Sequence, residues 1–234
     1  MKPLDRPPSL VTLAAEKLRS AIISGDLKLG EQISEINVAG WFGTSKTPVR
    51  EALQQLRAEG LVRVIPQTGT FVFTMSAHEV IELCELRLTL EQGALGLALR
   101  RNAKGLGKRL ASIVHSMENV HAKGDARAYL NLDTEFHQQF FDYCGNRYMA
   151  EAYSRIIGQV AALRTHLAAR PQHTALSLRE HEAMARAIAM GRIDEVPNIL
   201  ASHIARTQMA YAANIVDIAQ ADRTLGTKRA RITS

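Results

Sequence analysis

The chain has 234 residues, 46% of them hydrophobic and 22% charged, with a formal net charge of +6 and a pI near 9.5. That is enough chain and enough apolar matter for one large domain or two small ones with a true core, and the positive balance favours an anionic partner. No apolar run approaches the roughly 18 residues of a membrane span, and the first ten residues hold no apolar signal core. The two cysteines, Cys84 and Cys144, fit no metal or redox spacing and read as reduced thiols. A cytoplasmic protein is expected.

Pro3, Pro7 and Pro8 make an extended lead-in. From Ser9, the spacing of Leu10, Leu13, Leu18 and Ile22 predicts a helix that Gly25 ends. Gly30 marks a turn. Ile33, Ile36, Val38 and Trp41 predict a short second helix, capped by Ser34 or Asn37 and ended by Gly43. Gly43-Thr44-Ser45 is a tight turn into a third helix, Ser45 to Glu59, with Ser45 as N-cap and Pro48 in the first turn. Val49, Leu53 and Leu56 recur at helical spacing there, and Lys46, Thr47, Arg50 and Gln54 remain for the exposed face. Short or cationic donors at a helix start suit a DNA major groove. Taken alone, the same helix reads equally as an amphipathic helix with a solvated basic face.

After Gly60 the period changes. Leu61–Ile65 and Thr70–Phe73 are β-rich and flank the turn Pro66-Gln67-Thr68-Gly69, which predicts a hairpin. Helix, helix, turn, helix and hairpin in succession make a winged helix-turn-helix.

This segment resembles the winged helix-turn-helix of the GntR family of bacterial transcription regulators. The resemblance rests on Thr47-Pro48-Val49-Arg50-Glu51-Ala52-Leu53, then Leu56, Glu59-Gly60-Leu61-Val62, Pro66, Gly69 and Val72, and covers Leu10 to Thr74. It implies DNA contacts from Ser45, Lys46, Thr47 and Arg50, and from Gln67, Thr68 and Gly69 of the wing. Glu51 is expected to orient Arg50 or to cap locally. Two departures bear on the operator. Lys46 stands where the family has Arg, and Ile36 stands where members similar to FadR carry an Arg nearby. Lysine does not make the bidentate contact to guanine that arginine makes.

From Ser76 onward the pattern is helical, in six segments near 76–101, 105–122, 125–144, 147–168, 174–190 and 192–220. Gly105, Gly124, Gly145-Asn146, Pro171 and Gly191 separate them. The stretch 222–234 holds Arg223, Lys228, Arg229 and Arg231 without apolar periodicity, and is expected to be a basic tail without order. Asp133 and His137 are four apart on one helix and share a face, while His181 and His203 lie on two other helices. Three histidines and a carboxylate make a set for a divalent transition metal. Spacing alone does not bring residues on three helices together. His78, His115, His121, His166 and His173 read as ordinary core or surface residues.

Leu132-Asp133-Thr134-Glu135-Phe136-His137, Glu180-His181 and Ser202-His203-Ile204 resemble the metal-binding marks of the FCD domain, the all-helical partner domain of the FadR subfamily. The resemblance implies Asp133, His137, His181 and His203 as ligands of a divalent metal, Zn by preference and Ni or Mn as alternatives. Six helices rather than seven imply the shorter, VanR-like branch. The Glu85-Leu86-Arg87 pattern also matches, and there an arginine faces the effector cavity. Arg164 is a second candidate, with a solvated surface arginine as the alternative.

The expected protein is therefore mainly α. A winged helix-turn-helix domain (1–75) precedes an all-α, FCD-type bundle (76–221) for metal, effector and dimerisation. The expected function is that of a homodimeric transcription regulator, a repressor, that binds a pseudo-palindromic DNA operator and senses a small carboxylic acid. Two alternatives stay open: a regulator for which metal itself is the signal, and a metal-dependent enzyme. No general base with a recognisable spacing supports the enzyme.

Overall fold

A computed structural model describes the backbone of residues 8–168 and 171–232, and side chains of 8–165 and 172–215. The chain divides between Thr74 and Met75 into two compact units.

In the first unit, α1 (Leu10–Ser24) is capped by the Ser9 side chain and closed by left-handed Gly25. Gln32–Ile33 forms β1, α2 runs over Glu35–Phe42, and α3 over Lys46–Ala58. Ala14 and Ala15 of α1 pack on Ala52 of α3, with Val11 and Phe42 beside them. Small residues let the two helices approach closely. Arg19 grips Glu59 through two bonds of 2.7 and 2.6 Å, which ties α1 to the end of α3. β2 (Val62–Ile65) and β3 (Gly69–Val72) form the expected hairpin, with Val62 opposite Val72 and Ile65 opposite Gly69.

Two details differ from expectation. Ile33 is not helical but pairs with Thr70, so β1 adds a third strand in the order β1-β3-β2. A two-residue strand has no periodicity of its own; its partner creates it. In α2 the buried residues are Val38 and Ala39, whereas Ile36 and Trp41 face out. Ser34, not Asn37, supplies the cap.

The second unit is helical. Its first helix, α4 (Ala77–Ala122), begins with a capping box in which Ser76 and Glu79 satisfy each other's backbone N–H. It kinks at Asn102, whose φ/ψ of −157°/60° is non-helical. Asn102 Oδ1 accepts from the Gly105 N–H at 2.8 Å, so Asn102 caps the helix piece that follows. The break expected at Gly105 thus falls three residues earlier, at the cap. The remaining helices are α5 (Ala126–Cys144), α6 (Arg147–Ser154), α7 (Ile157–Ala168), α8 (Pro171–Ala189) and α9 (Val196–Ile232), with a 3-10 turn at Ile193–Glu195.

The segment expected as one helix over 147–168 is two. Short-range bonds at Arg155 and Ile156 bend the chain so that Tyr153, Ile156 and Val160 all reach the core. Counting both pieces of α4, the bundle has seven helical rods among the described residues, not the six expected. The tail expected to lack order continues α9 to Ile232. It contains Ala, Leu, Arg and Lys, which favour helix, and no proline. The side chains of Arg223, Lys228, Arg229 and Arg231, like that of His166, lie outside the described residues.

Candidate functional site

In the first unit the expected DNA contacts lie on one helix and one turn. Ser45, Lys46, Thr47 and Arg50 are exposed at the start of α3. Ser45 has the extended backbone of a cap, yet its hydroxyl makes no cap bond. Gln67, at the hairpin tip, has φ 60°. Gly69 has φ 134°, a backbone conformation that calls for glycine, and a Cβ there would sit 2.8 Å from the movable amide end of Gln32. Gln32 Nε2 donates to the Thr68 carbonyl at 3.1 Å, which pins the hairpin tip to β1. Arg50 is oriented by Glu35 of α2, not by Glu51: Nε and Nη2 donate to the two carboxylate oxygens at 3.2 and 2.9 Å.

In the second unit α5, α8 and α9 bring His137, His181 and His203 together, with one ring nitrogen of each within 4.8 Å of the others. All three are buried. Two are held from behind. His137 Nδ1 faces Glu91 Oε2 at 2.7 Å, and His203 Nδ1 faces Glu180 Oε2 at 2.7 Å. Each carboxylate fixes the proton on Nδ1 and leaves the Nε2 lone pair for the centre. His137 Nε2 and His181 Nε2 are 3.3 Å apart. Two nitrogens about 2.05 Å from a zinc ion, at a tetrahedral angle, lie about 3.3 Å apart. His181 Nδ1 is buried without a hydrogen-bond partner among the described residues. If the proton sits there, both facing Nε2 atoms are lone pairs, an arrangement that calls for a cation between them. Donor type, spacing and fixed tautomers therefore fit a divalent metal.

Asp133 stands beside this triad rather than in it. Its Oδ1 is 3.8 Å from His181 Nε2, while Oδ2 is 2.7 Å from Arg164 Nε. The expected quartet is thus three histidines with a carboxylate one step out, already paired with an arginine. Arg87 is fully buried; its Nε donates to Glu91 at 2.7 Å, and its Nη2 lies 3.1 Å from His137 Nε2. In this structure the guanidinium stands in for a cation at the nitrogen a metal would take. Tyr153 joins this polar cluster, donating to Glu91 at 3.0 Å.

Charge follows burial. Desolvation pushes His137 down to about 4, against the opposing pull of Glu91. Desolvation likewise lowers His181 and His203. Burial alone would raise Glu91 and Asp133, but Arg87 and His137 in one case, and Arg164 and the histidines in the other, hold both well below the usual carboxylate range. Glu180 is also held low, at about 2: burial opposes this, and hydrogen bonds from Arg206 and His203 overcome it. Around neutral pH the centre is three neutral imidazoles ringed by carboxylates, the state a metal requires.

A cavity of about 20 Å³ lies against Asp133, Arg164, His203, Ser177, Tyr129 and Tyr211. It has room for a water or a single ion. Arg164, only 4% exposed, is on its wall and Arg87 is not. Burial removes the surface reading of Arg164.

Several participants were not expected. Glu35 and Glu91 each pair with an arginine the sequence had marked. Glu91 follows Arg87 by four, and both stand where apolar residues otherwise form the buried stripe of α4, Val80, Cys84, Leu95 and Ala98. A charged pair at core positions was the available signal. Glu180, marked in the sequence only as the neighbour of His181, holds His203 and Arg206. His173 lines the cavity, and burial, then Arg206, lower it to about 4. Glu135 pairs with Arg109 on the surface. His78 and His115 lie near Glu82 and Glu118 on the surface, as expected of ordinary residues.

Comparison with known proteins agrees with both units. Residues 10–72 match the gntR family of bacterial regulatory proteins, and residues 82–206 match the FCD domain. An uncharacterized HTH-type transcriptional regulator, YdhC of Bacillus subtilis (strain 168), is 27% identical over 147 residues, 62% of this chain and 66% of that protein. The gluconate operon transcriptional repressor of the same organism is 28% identical over 142 residues, 61% of this chain and 58% of the relative. Each match thus spans somewhat under two thirds of the relative's length. A GntR chain from Rhodococcus sp. RHA1 shares the fold, with a TM-score of 0.76 at 22% identity over 88% of this chain and 99% of that one. These relatives are transcription regulators, not enzymes. No helix among the described residues is long and apolar enough to cross a membrane. The chain belongs to the gntR family of bacterial regulatory proteins, in the arrangement that joins the DNA-binding helix-turn-helix to an FCD domain.

Proposed function

We propose that this regulator is a cytoplasmic, homodimeric repressor whose helical unit holds a divalent metal and senses a small carboxylic acid. Each protomer would place α3 in the major groove of one half-site, with the hairpin tip beside it. Ser45, Lys46, Thr47 and Arg50, then Gln67, Thr68 and Gly69, are the contacts. His137, His181 and His203 hold the metal, Zn by donor type with Ni and Mn as alternatives, and Asp133 is a fourth ligand once it turns from Arg164. Bound there, the metal supplies a Lewis-acid position for a carboxylate. Arg164 on the cavity wall is the countercharge, and Arg87 keeps Glu91 and His137 in place. Bound acid biases the protein between two arrangements of different DNA affinity.

The observation that carries the metal is the triad itself, two of its imidazoles fixed by carboxylates. The test is the melting temperature of the purified chain, stripped of metal and then reloaded with Zn, Ni or Mn, against a panel of small acids that includes gluconate. A ligand bound only to the folded state at a hundredfold excess over its Kd adds about 2.7 kcal/mol of stability. An acid that stabilises only the metal-loaded form supports the reading. Acids acting equally on both forms would count against it.

A second reading has one observation in its favour. The cavity holds little more than an ion, which suits a protein for which metal is the whole signal. Metal alone would then change operator binding, with no response to any acid.

A further inference from the structure

A half-buried carboxylate paired with a DNA-reading arginine needs a reason. Glu35 lies in the first turn of α2, and its carboxylate closes a two-bond fork on Arg50 of α3. The side chains of Arg50 and Glu35 remain 60% and 29% exposed. Exposed ion pairs add little to stability, so folding does not explain the pair. The positive end of α2 welcomes an acid in its first turn, but that attraction does not require the acid to turn onto Arg50.

The fork spends one edge of the guanidinium, Nε with Nη2. Nη1 makes no hydrogen bond among the described residues and stays at the open end of the side chain. An arginine reads guanine by offering two donors to O6 and N7. An unclamped arginine gains as much from any phosphate, which adds affinity without sequence information. In the first turns of α3 the other cation is Lys46, a point charge without a fork.

We propose that Glu35 is a positioning residue that sets DNA specificity, holding Arg50 end-on for a guanine edge and cancelling its charge toward phosphates. This rests on the reading of α3 as the recognition helix, and the test separates the two.

Duplexes are first selected from a random pool with the wild-type full chain. Affinity is then measured, over a range of salt, for the selected duplex, for versions with single guanines replaced, and for an unrelated duplex of equal length. Glu35→Gln keeps the shape and removes the charge. It is expected to bind the unrelated duplex several-fold tighter and to steepen the log-affinity against log-salt slope by about 0.9 per protomer. Discrimination at one guanine per half-site should fall about tenfold or more. Glu35→Asp should restore part of that discrimination. An unchanged slope together with an unchanged ratio of selected to unrelated binding overturns the proposal. So does an equal effect of Glu35→Gln in an Arg50→Ala background, because the glutamate would then not act through the arginine. Arg50→Ala alone tests the recognition helix: normal binding of the selected duplex by that variant removes α3 from the interface.

Discussion

Each histidine of the triad is defined by what stands behind it. Glu180 accepts from His203 and, on its other oxygen, from Arg206 Nε at 2.9 Å. Outer-shell carboxylates of this kind are worth about 10–100-fold in metal affinity. Glu180→Gln should therefore weaken Zn binding by about that factor without abolishing it, whereas His203→Ala should remove stoichiometric binding; titration calorimetry of the stripped protein reads both. Unchanged Zn affinity in Glu180→Gln would show that Glu180 serves only Arg206. Glu91 is a harsher case, because its loss strands Arg87 in the core, a change that costs about 3–5 kcal/mol. The difference marks what could be read ahead of the fold. Asp133 and His137 share a helix face by spacing alone, so their association was legible. The roles of Glu91 and Glu180 were not, since both depend on which side chain of another helix arrives opposite. Arg164 was legible only as a candidate, and burial beside Asp133 decided it.

Elements were legible in proportion to how local their signals are. α3 and the hairpin carry their own stops and periodicity, and both stand where the sequence placed them. β1 is two residues long and exists because β3 lies alongside. The split between α6 and α7 answers to Tyr153, which stacks on Phe141 at 3.9 Å between ring centroids while bonding to Glu91. Such a break belongs to the packing: the one glycine nearby, Gly158, lies inside α7 and not in the turn itself. Packing also gives Gly107 its meaning. A Cβ there would meet Ile188 Cγ2 of α8 at 2.8 Å, so α4 and α8 touch where α4 has no side chain. Gly107→Ala should cost about 1–3 kcal/mol by overpacking, less the roughly 1 kcal/mol that alanine gains over glycine within a helix. Urea unfolding measures it. Gly107→Ala with Ile188→Ala should be less destabilised than the sum of the single changes, because the second removes the atom the first strikes. Strict additivity would mean that the helices part without this contact mattering.

The buried centre also makes the stability of the second unit a function of pH, and the sign is fixed by the direction of the shifts. His137, His181 and His203 are all lowered by burial, His137 to about 4 from 6.5. Above 6.5 neither the folded nor the unfolded chain binds a proton at these rings, and their contribution is fully present. As the pH falls from 6.5 toward 4, the unfolded chain takes up protons that the folded chain refuses, so stability is lost. The slope is at most about 1.4 kcal/mol per pH unit for each histidine. Glu91 and Asp133, held low mainly by their arginine partners against the cost of burial, act in the same direction but at lower pH. Their stabilisation is present above the ordinary carboxylate range and drains away beneath it. The two groups therefore separate on the pH axis. For metal-stripped protein, the urea midpoint should fall steadily between pH 6.5 and 5, before the carboxylates contribute. His137→Gln should flatten that fall by up to one histidine's share. Metal-loaded protein should fall more steeply over the same range, because protons compete with the metal for the same nitrogens. A stripped protein equally stable at pH 7 and pH 5 would mean that the rings accept protons where they lie, and the neutral, metal-ready triad would have to be abandoned.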